Sequence, residues 1–300
     1  MPKRRKRYRW NPQKRKKILT GLGIILILLL VPHLLGASLP TESRSTGYFD
    51  LQLHEVNFRT REDLVRRHQL AGIDAPATVP LPDWTRSVGP LIYIFNAHDH
   101  EVIGAQSADT YWIGEMTIME VSRYMADLFE DRGIPTLVEE RLPNELIAKR
   151  GWRWDSHYRA SRVFLEEAIE AHPTLQFFFD MHRDSISDNR IRTTINGEPY
   201  ATMIFILSYG HPNYAENLDV LEHLIERLEA RYPGIMRRDY LSDTITPIQF
   251  RFGSGDTPHF NQDLSENLIL FEIGGPTSAV EEVLNTVRAV VEVLYDFIVE

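Results

Sequence analysis

Short apolar runs, each closed by polar or charged residues, alternate along this chain with longer stretches whose apolar positions recur every three or four residues. Runs of the first kind read as strands and stretches of the second as amphipathic helices. Their alternation predicts an α/β domain with a mixed, mostly parallel sheet flanked by helices. The first strand is Leu91–Phe95. A helix near 115–132 places Ile118, Val121, Met125, Leu128 and Phe129 on one face, and Gly133 stops it. Strand 134–139 follows, then a helix near 161–171 closed by Pro173 and a strand over 175–181. Asn196-Gly197 suits the two positive-φ positions of a tight turn, which predicts a hairpin joining 192–195 to 200–207. A helix over 213–231 carries Leu218, Leu221, Leu224, Ile225 and Leu228. Strand 268–272 and a closing helix 277–299 complete the domain.

The N-terminal part breaks this pattern. Residues 1–17 hold ten of the chain's 33 Lys and Arg and no acid, leaving 23 basic against 42 acidic residues thereafter, a net of -19. The stretch 18–36 follows with no acid and only His33 as a titratable group. It is close to the roughly 20 residues that span a bilayer. Basic flanks stay on the cytoplasmic side, so the expected plan has four parts. These are a cytoplasmic tail (1–17), a transmembrane helix (18–36), a juxtamembrane stalk (37–88) and an external domain (89–300). A cleavable signal peptide ending near Gly36-Ala37-Ser38 is the rival reading; its apolar region would normally be shorter, about 7–15 residues. A basic run set directly before a span reads as a topology signal or an anionic-lipid contact, not as a nucleic-acid arm.

The chain contains no cysteine. Disulfides, thiolate zinc sites and thiol nucleophiles are thereby excluded, and His, Asp and Glu remain as candidate ligands. Three apolar strands deliver such residues at their C-terminal ends, where open α/β sheets bind ligands. The first leads into Asn96-Ala97-His98-Asp99-His100-Glu101, the second into Asp180-Met181-His182-Arg183-Asp184 and the third into Glu272-Ile273-Gly274-Gly275. Two imidazoles and carboxylates suit an open catalytic zinc that keeps a position for water. His98 and His182 are two expected ligands. Glu115, at the expected start of the following helix, is preferred as the third, with Glu101 and His100 as competitors. Glu272 is expected to act as general base or to orient the water. Glu115 could instead serve only its helix N-terminus, and Asp180 or Asp184 could simply pair with Arg183.

The ordered segments Gly151-Trp152, Ser156-His157-Tyr158-Arg159-Ala160-Ser161-Arg162 and Phe179-Asp180-Met181-His182-Arg183-Asp184-Ser185 resemble the stage II sporulation protein P family. So do Thr194-Ile195-Asn196-Gly197, His211-Pro212-Asn213-Tyr214, Tyr232-Pro233-Gly234, Asn261-Gln262-Asp263-Leu264-Ser265 and Glu272-Ile273-Gly274-Gly275. The resemblance runs from about Leu91 to Ile298. It implies a membrane-anchored peptidoglycan hydrolase related to zinc-dependent N-acetylmuramoyl-L-alanine amidases, which cut the amide between muramic acid and the stem peptide. It further implies zinc ligation by His98, Glu115 and His182, with the late strand-end carboxylate falling on Glu272. The family loop usually reads His-Thr-His, where this chain has Asn96-Ala97-His98, so His98 takes the ligand position and His100 is secondary.

The expected partners are peptidoglycan, the membrane and other wall hydrolases or division and engulfment complexes, with no nucleic acid. Arg183 is a candidate for contacting a stem-peptide carboxylate through its planar fork. Asn261, Gln262 and Asp263 either line the site or fix a loop. Two other readings share these residues: a peptidoglycan endopeptidase, and a wall-binding protein without activity. The resemblance alone does not assign a sporulation role.

Overall fold

The computed structural model describes residues 89–107, 113–238, 246–253 and 259–300, all within the compact unit Asp63–Glu300. The expected tail, membrane span and stalk lie outside the described residues. No described helix is long and apolar enough to cross a membrane.

In chain order the elements are β1 (Ile92–Phe95), β2 (Val102–Ile103), β3 (Met116–Thr117), α1 (Ile118–Glu130), β4 (Thr136–Val138), α2 (Pro143–Arg150), α3 (His157–Ala171) and β5 (Phe177–His182). There follow β6 (Arg192–Ile195), β7 (Glu198–Ala201), β8 (Met203–Ser208), α4 (Tyr214–Arg231), β9 (Ile248–Arg251), β10 (Leu268–Ile273) and α5 (Val280–Val299). The main sheet has the order β4-β1-β5-β10-β8-β9. β4, β1, β5 and β10 are mutually parallel, while β8 runs antiparallel to β10 and carries β9 parallel to itself. The expected mixed, mostly parallel sheet is therefore present.

Both faces of the sheet are covered, which explains why its strands read as continuous apolar runs and not as alternations. On one face Phe179, Phe205 and Phe271 pack among residues of α1, α4 and α5. On the other, Tyr93, Phe95, Phe178 and Leu268 pack against Leu165 and Ala168 of α3. Each fully buried ring of this kind stabilises the fold by roughly 1.5–3 kcal/mol.

Four elements differ from expectation for identifiable reasons. Helix α1 starts at Ile118, not 115, because Thr117 and Glu120 form a capping box: Glu120 N–H donates to Thr117 Oγ1 and Thr117 N–H donates to Glu120 Oε2. The expected second hairpin arm breaks at Thr202, so β7 pairs with β6 while β8 joins the main sheet. The turn itself is as expected, with Asn196 and Gly197 both at positive φ. Helix α2 and the edge strand β9 are too short for the periodicity to reveal.

Candidate active site

Parallel registers bring the polar strand ends to one edge. Phe95 lies level with Asp180, and Glu272 lies level with His182. Because side chains alternate along a strand, Asp180, His182, Leu270 and Glu272 all face the α3 side of the sheet. Beyond Phe95 the chain is clamped before it turns. Asn96 Nδ2 donates to Met181 O at 2.7 Å, Ser122 Oγ donates to Asn96 Oδ1 at 3.0 Å, and Ala97 N–H donates to Asp180 Oδ1 at 2.9 Å. Asn96, which stands where the resembling family has His, is thus a buried clamp between β1, β5 and α1. The clamp holds the turn so that His98 projects over the edge.

There His98, Glu101 and His182 each offer a donor atom, all within 4.8 Å of one another. Glu101 Oε1 is 3.4 Å from His98 Nδ1, and Glu101 Oε2 is 3.5 Å from His182 Nδ1. Such separations are about the edge of a tetrahedron of donors lying roughly 2.0–2.2 Å from its centre. The backbone N–H of Arg183 donates to Glu101 Oε2 at 3.0 Å and fixes the carboxylate. His182 Nε2 lies 2.9 Å from Asp180 Oδ1 yet lacks the alignment of a hydrogen bond. Among the described residues, Asp180 Oδ2, His182 Nε2 and Glu272 Oε2 are all buried without a hydrogen-bond partner. Leaving a buried polar group unsatisfied costs about 1–3 kcal/mol, so the bare Glu272 Oε2 beside the donor cluster marks a place where something else binds.

Charge follows the same arrangement. Burial would lower the His182 pKa, but the Asp180 and Glu101 carboxylates outweigh it and raise the pKa well above its ordinary value. Desolvation would raise the pKa of the half-buried Glu101, yet its contacts with His182 and His98 hold it below the usual carboxylate range. Glu272 is pushed up to about 8, chiefly by burial, with Glu101 adding to the shift and His182 opposing it. Tyr158, near the start of α3, roofs the group: its ring is 5.5 Å from that of His98 and stacks 6.2 Å from that of His182. His157 packs edge-on against His98 at 4.9 Å, and burial lowers its pKa to about 4.

Of the residues expected from sequence, His98, His182 and Glu272 meet at this edge, and Glu115 does not join them. Among the described residues the third donor is Glu101. Glu115 is exposed, its backbone N–H bonded to Ile103 O in the β2–β3 hairpin. The paired strands β2 and β3 lie between Glu101 and α1, whereas Glu101 is only three residues beyond His98. His100 lies outside the cluster, beside Asp99 and Asn144. Arg183 is buried, with its guanidinium donating to Val102 O and Asp184 O. Asp184 pairs with Arg237. Asp180 and Tyr158 were legible only weakly: Asp180 sits two residues before His182, hence on the same face, and Tyr158 had no signal beyond its motif.

The outer loops hold this edge in place. Asn261 Nδ2 donates to Ser161 Oγ at 3.0 Å, Gln262 bridges Ser208 N–H and Ile206 O, and Asp263 pairs with Arg162, so all three fix a loop. Gly275 follows β10 where a Cβ would come within 2.0 Å of Ile186 O, which leaves no room for another residue.

The family model described as Stage II sporulation protein P matches residues 47–295. Stage II sporulation protein P of Bacillus subtilis (strain 168) is 25% identical over 217 residues, which are 71% of this chain and 52% of that protein. The chain thus spans about half the length of that curated relative. Among solved structures, N-acetylmuramoyl-L-alanine amidase AmiC2 of Nostoc punctiforme covers 70% of this chain, over 97% of its own, at 11% identity. Its TM-score of 0.33 is too low to bear on fold or function.

Proposed function

Since the chain belongs to the stage II sporulation protein P family, we propose that it is a zinc-dependent peptidoglycan hydrolase cutting the amide between N-acetylmuramic acid and L-alanine of the stem peptide. The span 18–36 anchors it, the stalk 37–88 carries the domain away from the membrane, and that domain works on the outer side. The observation that carries the reading is the donor set of His98, Glu101 and His182 beside Glu272, whose buried Oε2 has no hydrogen-bond partner among the described residues. Those residues fit a divalent zinc: two imidazoles and one carboxylate, with Asp180 behind His182 as the outer partner that ligating histidines usually have.

Zinc held there supplies Lewis acidity, polarising the scissile carbonyl and acidifying water. Glu272 takes the proton of the attacking water and returns it to the leaving amine. A carboxyl with a raised pKa is a stronger base when ionised, which favours both steps. Asp180 orients His182, and Arg183 fixes Glu101 through its backbone N–H. A direct contact between the Arg183 fork and a substrate carboxylate requires its guanidinium to leave Val102 O and Asp184 O. Tyr158 shields the site from bulk water on the α3 side.

The test is zinc content and digestion of purified cell walls by the full chain, beside His182→Ala. About one zinc per chain, lost in the variant, with intact stem peptides released from glycan, is the expected result. Peptide fragments released by a cut within the crosslinks would move the reading to an endopeptidase. A protein that holds no zinc and binds walls without cutting them would refute hydrolysis.

A further inference from the structure

The two imidazoles of the donor cluster are held in different ways. His182 has the Asp180 carboxylate behind it, with Nε2 and Oδ1 2.9 Å apart. Two rings of α3 stand beside His98: His157 meets it edge-on at 4.9 Å, and Tyr158 lies 5.5 Å away. Aromatic rings favour such edge-to-face contacts, but one ring sets the tilt of another only if it is itself held. Tyr158 is seated on Phe260, with 4.8 Å between centroids. His157 is held by a chain of polar contacts that runs outward to α2.

That chain centres on Asn144, the second residue of α2. The N-cap residue of this helix is Leu142, whose side chain has no oxygen to accept from the first turn. Asp99, from the loop after β1, does so in its place. The Asn144 backbone N–H donates to Asp99 Oδ2 at 3.2 Å, and Asn144 Nδ2 donates to Asp99 Oδ1. A carboxylate only accepts, so Asp99 determines which end of the Asn144 amide faces it. The amide oxygen is thereby turned toward α3, where it lies 3.1 Å from His157 Nε2. This oxygen also only accepts, so the proton of the neutral His157 ring sits on Nε2. Asn144 Nδ2 is in addition 2.9 Å from His100 Nδ1. One exposed side chain thus ties together the loop after β1, the start of α2 and the start of α3. His98 belongs to the first of these segments and packs on the third.

We infer that Asn144 and His157 are positioning residues for the metal site: Asp99 orients Asn144, Asn144 holds His157, and His157 sets the ring of His98. The inference rests on the zinc reading proposed above. Both imidazoles are then oriented from outside the donor cluster, His182 by a carboxylate and His98 by a ring that is itself held. Loss of the outer partners of metal ligands typically lowers metal affinity about 10–100-fold.

Zinc affinity is measured on the full chain by competition with a chromophoric chelator, beside Asn144→Ala, His157→Ala, the double variant and Lys149→Ala. Asn144 is exposed, so its truncation leaves the core intact, and Lys149 is an exposed residue of the same helix. Asn144→Ala and His157→Ala are each expected to bind zinc about 10–100-fold more weakly than the parent. The double variant is expected to fall within about twofold of the weaker single variant, because both act along one path. Lys149→Ala binds zinc as the parent does. Single variants that bind like the parent, or losses that add in the double variant, overturn the inference. A second measurement needs no metal: heteronuclear NMR of the metal-free full chain labelled at histidine, with the His157 signal identified by its absence from His157→Ala. The parent is expected to show the Nε2–H tautomer, which Asn144→Ala releases to a mixture. A proton on His157 Nδ1, or a tautomer unchanged by Asn144→Ala, also overturns the inference. A chain with His157 held in this way that takes up no zinc refutes the zinc reading and the metal role together. Zinc uptake indifferent to Asn144 and His157 refutes the positioning role alone.

Discussion

Substituting two glutamates in parallel tests the site where structure and periodicity diverge. Glu101→Gln removes one of three clustered donors while keeping the side chain's volume and its acceptor for the Arg183 N–H. Glu115→Gln changes an exposed residue outside that cluster. Zinc sites with four ligands are worth about 10–16 kcal/mol, so one protein donor contributes about 3 kcal/mol. Glu101→Gln is therefore expected to weaken zinc binding by roughly 100-fold or somewhat more, and Glu115→Gln to leave it within about twofold. The assay is competition for zinc against a chromophoric chelator, with circular dichroism confirming that each variant is folded. A Glu101→Gln protein that binds zinc like the parent, or a Glu115→Gln protein that loses it, would refute the assignment.

Asp180→Asn keeps the Ala97 N–H bond but removes the charge behind His182, and should lower zinc affinity about 10–100-fold in the same competition. Glu272→Gln should leave zinc bound while wall digestion falls about 10²–10⁴-fold; parallel loss of both would make Glu272 a ligand instead. Away from the site, Glu139 accepts the buried Tyr93 hydroxyl at 2.6 Å and pairs with Arg141. Burial alone would raise its pKa, but the Arg141 and Tyr93 bonds win and lower it. A depressed folded pKa means that this stabilisation is complete above the unfolded carboxylate value and is lost as pH falls through the folded one. Glu139→Gln should therefore flatten the acid side of a plot of melting temperature against pH; an unchanged acid side would show that the group is not linked to folding.

Strands β1, β4, β5 and β10, four of the helices and the direction of the sheet were legible because their apolar runs are long enough to show a period or a continuous core stretch. His98, His182 and Glu272 were legible because a parallel sheet carries consecutive strand ends to one edge. The third donor was not. Both Glu101 and Glu115 precede α1 in sequence, but Glu101 sits before β2 in the cluster while Glu115, just before β3, is exposed. Thr117 and Glu120 placed the helix start beyond Glu115, a local capping effect that helical periodicity does not register.

What the sequence by itself determined is the set of residues at strand ends, because side-chain alternation and strand direction are properties of each run alone. Which of them meet was decided by the tertiary structure. The Asn96 clamp on Met181, the approach of Glu101 to His182 and the levelling of Glu272 with His182 all join residues that are far apart in the chain. Such contacts arise from strand order and loop paths, which many sequences of the same local pattern could realise differently.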